Sequence, residues 1–136
     1  MGRRILALAV IALALALASA AGAAPNGKYS GKTKLTISGS TVTHPFSLTV
    51  KHGKVTDVSL IAGSSCADLN GSAGLNAHFK INEHNRFSGT LKWARFTLNF
   101  KGTFKAKRVT GSFTGTAKGL AGTCPVPTNT FKATLP

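Results

Sequence analysis

From residue 25 onward, apolar side chains recur at every second position and almost nowhere at helical spacing. Tyr29, Gly31, Thr33, Leu35 and Ile37 alternate with Ser30, Lys32, Lys34 and Thr36. Successive side chains of a strand leave on opposite faces, so this spacing describes a strand with one dry side and one wet side. The same grammar returns in Phe46, Leu48 and Val50, then after a His52-Gly53 turn in residues 54–60. It continues through Leu75, Ala77, Phe79 and Ile81, and through Phe87, Gly89, Leu91 and Trp93. At Ala94-Arg95 the parity shifts to Phe96, Leu98, Phe100 and Phe104, which a bulge or a tight turn would produce. Val109, Gly111, Phe113, Gly115 and Ala117 follow, and Phe131, Ala133 and Leu135 close the chain. About eight strands joined mostly as local hairpins predict an all-β domain, an antiparallel sandwich or barrel that buries its Phe-rich face. Residues 62–74 and 119–127 read as the two long loops, being rich in Gly, Ser, Asn and Pro. Phe46, Phe79, Phe87, Phe96, Phe100, Phe104, Phe113 and Phe131 all fall on dry parities and are the expected core.

The N-terminus has a different character. Arg3 and Arg4 precede an unbroken apolar run over residues 5–18, followed by Ala18-Ser19-Ala20 and Ala21-Gly22-Ala23. A basic start, a short apolar stretch and small-x-small sites are the parts of a secretory signal. The run is shorter than the roughly 18–20 residues a membrane-spanning helix needs. Residues 1–24 are therefore expected to be removed. Residues 25–136 would form one secreted or extracytoplasmic domain, monomeric and without a transmembrane anchor. In an oxidising compartment the two cysteines, Cys66 and Cys124, are expected to pair, two buried thiols being the alternative.

The order of short motifs along the chain supports the same class. Gly27-Lys28-Tyr29-Ser30-Gly31-Lys32-Thr33 is followed by Phe46 to Val50 with Gly53-Lys54-Val55-Thr56, a cysteine in the next loop, and Phe87-Ser88-Gly89. Val109-Thr110-Gly111-Ser112-Phe113, Cys124 and Phe131-Lys132-Ala133 complete the series. It resembles a family of small secreted all-β proteins of uncharacterised function from actinobacteria and their relatives. The resemblance implies an exported all-β domain and supports pairing the cysteines. It carries over no catalytic or binding residue.

Few residues offer chemistry. Asp57, Asp68 and Glu83 are the only acids, and no spacing unites two of them for acid–base work. His44, His52, His78 and His84 lack zinc-motif spacing; His78 and His84 flank a turn near Glu83 but read more simply as surface residues. Ser64 and Ser65 have no nucleophile-elbow context. No enzyme activity, cofactor or metal is expected.

The charge is the one functional lead. Lys and Arg number 17 against three acids, a formal net charge of +14. Such a balance attracts anionic surfaces. Lys32 and Lys34 share one strand face; Lys101, Lys105 and Lys107 form a second group that Arg108 extends. If the two groups meet on one side of the domain, they make a Lys/Thr surface for anionic cell-envelope polymers or lipid headgroups. The plainer reading is a solvated sheet face that deters edge pairing. Nucleic acid is not indicated, because the aromatics that would stack on bases sit on the dry side. The competing function is a carrier of a small hydrophobic ligand inside the β-structure, and a third reading is a structural protein with no tight ligand.

Overall fold

The computed structural model describes residues 23–37, 39–64 and 68–136, with residues 68–73 described by their main chain. The signal-like segment and Cys66 lie outside the described residues. Eight strands follow one another: β1 (Gly27–Ile37), β2 (Ser40–Lys51), β3 (Lys54–Gly63), β4 (Asp68–Lys80), β5 (Arg86–Trp93), β6 (Phe96–Lys105), β7 (Arg108–Gly119) and β8 (Gly122–Thr134).

All eight belong to one antiparallel sheet in the order β4-β3-β2-β1-β8-β7-β6-β5. Each run of four is a meander of consecutive hairpins, and the two runs join where β1 pairs with β8 from Ser30↔Thr134 to Lys34↔Thr130. The sheet then rolls until its edge strands face each other. Phe79 of β4 stacks at 6.0 Å and 11° on Phe87 of β5, and its ring lies directly over Gly89. At one end the linker between these strands is tied in, with Asn82 N–H donating to Arg86 O at 2.9 Å. The result is a nearly closed barrel whose seam is sealed by aromatic packing where other neighbours share a hydrogen-bonded ladder.

One alternative for the fold class needs correction. Two packed sheets would need two strand orders, and there is one, so the sandwich alternative falls. Of the expected Cys66–Cys124 pair, Cys66 lies outside the described residues, and Cys124 is disulfide-bonded; main-chain pairing of β1 with β8 organises the closure. Cys124 is not a free thiol. Its Sγ lies 3.2 Å from Ser64 Oγ.

Both predicted loops are largely strand. The 62–74 stretch supplies the end of β3 and half of β4, pairing Gly63 with Asp68 and Leu60 with Ala73. The 119–127 stretch is the hairpin into β8, whose register shifts between Phe113↔Asn129 and Gly115↔Val126. The parity change at Ala94-Arg95 is a tight turn between β5 and β6, with Ala94 at φ 50°. Ala106 holds φ 53° in the β6–β7 hairpin. A left-handed conformation costs an L-residue with a Cβ about 1–2 kcal/mol. Ala106→Gly removes that cost against a smaller entropy loss, and is expected to raise stability by up to about 1 kcal/mol in denaturant titrations.

Inside, large rings are set against glycine. Phe87 pairs with Gly102, Gly102 with Gly111, and Gly111 with Phe131. The two glycines make a low floor, and the rings of Phe87 and Phe131 occupy the places their side chains would take. All eight phenylalanines are buried, together with Tyr29, Leu48, Leu60 and Leu98. Alternating small and large residues fill a small barrel in this way.

Tyr29 is fully buried near the same end as the β4–β5 linker, edge-on to Phe104 at 5.3 Å. Its hydroxyl donates to Pro25 O at 2.7 Å, anchoring the lead-in to β1. Burial raises its pKa above the usual value of 10.0. The folded state therefore holds this proton more tightly than the unfolded state. Its contribution is intact below the unfolded pKa and is lost as pH rises from there through the folded pKa. With 1 Tyr in the chain, phenolate absorbance reports this group alone. Titration is expected to run alkaline of free tyrosine, and Tyr29→Phe should flatten the loss of stability above about pH 10.

Candidate functional site

The outer wall of the barrel is made by the alternate residues that the core excludes: Lys, Thr, Ser and Asn. A membrane barrel carries an apolar band in that place. Among the described residues no helix is long and apolar enough to cross a membrane.

The wall brings the two predicted basic groups together. Lys32 and Lys34 leave the outer face of β1, while Lys101 and Lys105 leave that of β6. β8 and β7 lie between them. One row across the sheet reads Lys34, Thr130, Ser112, Lys101, and the next reads Lys32, Lys132, Thr110, Thr103. Three strand spacings separate Lys34 from Lys101, about 14 Å along the sheet. Arg108 opens β7 directly opposite Lys105, and Lys107 sits in the adjoining turn at the barrel end. All six are solvent-exposed.

Two shallow grooves flank the small residues Thr110, Gly111 and Ser112 of β7. One, of about 590 Å³, is bordered by Lys32, Lys34 and Lys132. The other, of about 630 Å³, is bordered by Lys80, Arg86 and Lys101. A low saddle thus runs across β7 with three cations on each side.

Like charges stand face to face on this wall. Lys32 is the direct cross-strand partner of Lys132, and Lys105 of Arg108. Such pairs destabilise a sheet when nothing neutralises them. The acids are elsewhere: Asp57 is on β3, accepting from Thr56 Oγ1 at 3.2 Å, and Glu83 is in the β4–β5 linker. Among the described residues the ion pair present is His84–Glu83 at 3.8 Å, both side chains largely exposed. No group of three His, Cys, Asp or Glu gathers among the described residues. His78 leaves the outer face of β4.

Lys132, Lys80 and Arg86 were not singled out in the sequence. The Phe131-Lys132-Ala133 alternation does mark Lys132 as outward. Its position beside Lys32 follows only from the β1–β8 pairing, which no local signal carries. In comparisons with known proteins, no family model, no curated protein and no solved structure matches the chain.

Proposed function

We propose that the chain is an exported, non-enzymatic binding domain whose basic wall holds an extended anionic polymer of the cell envelope. The observation that carries this reading is the set of unneutralised cross-strand cation pairs, Lys32–Lys132 and Lys105–Arg108, beside two cation-lined grooves. Repulsion built into a ladder is a standing cost, and a ligand rich in phosphate or carboxylate groups relieves it. The saddle over β7 gives such a chain a path between the grooves. Multiple point contacts of this kind bind without sequence selectivity and weaken steeply with salt.

The test is retention of the purified barrel on immobilised polyphosphate and on an acidic polysaccharide, across a salt series. Strong retention at low salt with a steep loss as salt rises is the expected result. No retention at low salt would overturn the reading and leave the lysines as a solvated face.

The hydrophobic-carrier alternative has less to support it. In the interior, where a carrier needs room, Phe46 stacks on Phe131 and Phe100 packs on Phe113.

A further inference from the structure

Four large apolar side chains are exposed among the described residues: Ile37 (51%), Val42 (43%), Trp93 (42%) and Leu120 (99%). They are far apart in the sequence, yet the topology brings all four to one end of the barrel. Ile37 ends β1 and Val42 is the third residue of β2. Trp93 ends β5, and Leu120 is the tip of the β7–β8 hairpin. The opposite end carries His52, Lys54, Glu83, His84, Lys107 and Arg108 in its hairpins and linkers.

The apolar end also projects. β1 stays paired with β8 only as far as Lys34↔Thr130, and the β2–β3 ladder goes no further than Ser47↔Ser59. Beyond those points β1 and β2 continue as a two-stranded arm through Leu35↔Val42 to Ile37↔Ser40. Basic residues flank two of the apolar tips, Trp93 and Leu120. Lys92 precedes Trp93, Arg95 follows in the turn, and the Lys118 main-chain N–H donates to Arg95 O at 2.9 Å, joining the two neighbouring hairpins. Asp68, at the start of β4, is the acid the topology brings to this end.

Exposed apolar tips with Lys92, Arg95 and Lys118 beside them match the layered chemistry of an anionic bilayer. The tips would enter the headgroup–acyl boundary, where Trp is favoured, and the cations would meet the lipid phosphates. A polymer in water would leave those tips exposed. We propose that this end of the barrel docks on an anionic lipid bilayer, inserting Ile37, Val42, Trp93 and Leu120 without crossing it. This site is separate from the basic wall and does not depend on it.

The chain has 1 Trp, so Trp93 reports directly on insertion. The experiment incubates the full domain with phosphatidylcholine vesicles, with and without phosphatidylglycerol, and measures co-sedimentation and tryptophan emission. The expected result is sedimentation with anionic vesicles, a blue shift of Trp93 emission, and quenching by lipids brominated in the acyl chain. Leu120→Glu lies on an exposed tip and should weaken vesicle binding about tenfold or more while leaving the melting temperature unchanged. Retention on polyphosphate, which reads the basic wall, should be unaffected by Leu120→Glu. Failure to sediment with anionic vesicles would overturn the proposal. So would sedimentation without a shift in Trp93, which means attachment through the wall alone. Self-association in vesicle-free buffer that buries Trp93 would also overturn it, giving the tips to a second copy of the chain.

Discussion

Replacing Phe131 with alanine is expected to lower the unfolding free energy by about 3–5 kcal/mol, the largest single effect in the molecule. The side chain is 2% exposed, so nearly all of its apolar surface is lost from contact with water on folding. Its ring stacks on Phe46 at 4.4 Å and 21°, joining β8 to β2 across the intervening β1. Its far edge covers Gly111, where no side chain can move in to fill the space. The hole left by Ala therefore stays open, which puts the cost at the high end for a ring deletion. Equilibrium denaturation in urea measures it. A loss below about 1 kcal/mol would mean that the interior collapses around the gap. Phe131→Leu, which keeps part of the volume, should recover a portion of the loss.

The second large effect concerns binding. Exchanging Lys32, Lys34 and Lys132 together for Gln is expected to weaken association with polyphosphate about a hundredfold at low salt, at roughly 1 kcal/mol per basic residue near an anionic surface. The salt dependence should become shallower in the same variant, because fewer counterions are displaced. Thermal stability should hold or rise slightly, since the Lys32–Lys132 opposition is removed. A control triple at Lys28, Lys51 and Lys54 deletes equal charge at the start of β1 and in the β2–β3 hairpin. If both triples weaken binding equally, net charge and not the wall is responsible. If only the first does, the groove beside β7 is the site.

Much of this architecture can be read from residue alternation, and the exceptions have specific causes. The parity of the eight phenylalanines places every one of them inside, because a strand offers only two faces and the other holds Lys and Thr. Thr33 shows the strength of the pattern: a hydroxyl on a dry position, it is fully buried and donates to His44 O at 3.4 Å. Trp93 shows its limit. It has the inward parity of β5, but the strand ends there, and 42% of it remains exposed.

The two misread loops fail for different reasons. Residues 68–74 are rich in Gly, Ser and Asn, which favour turns locally, but here they pair with β3 along the main chain. Pro125 and Pro127 argue against a strand because proline donates no ladder hydrogen bond. At Pro125, however, β8 pairs only with β7. Its ladder with β1 begins five residues later, at Thr130. Pro127 falls within the register shift. The basic groups were visible one by one, but their union was not. It depends on β1 lying next to β8, a contact between residues about a hundred positions apart, and periodicity carries no information at that range.

The sheet and the chain are interrupted in different places. Between β4 and β5 the backbone runs on through residues 81–85 while the ladder stops, and between β1 and β8 the ladder runs on where the backbone does not. Leu135 packs against Gly27, which sets the two ends of the sheet-forming segment side by side. A circular permutant that links those ends and opens at 81–85 would therefore keep all seven ladders and change every one of them into a contact between chain neighbours. In the natural order, two meanders can form early and independently, and the single distant pairing must wait for both. In the permuted order that wait disappears. Folding should then quicken while the native contacts stay the same, which would put the slow step of this barrel at the β1–β8 pairing.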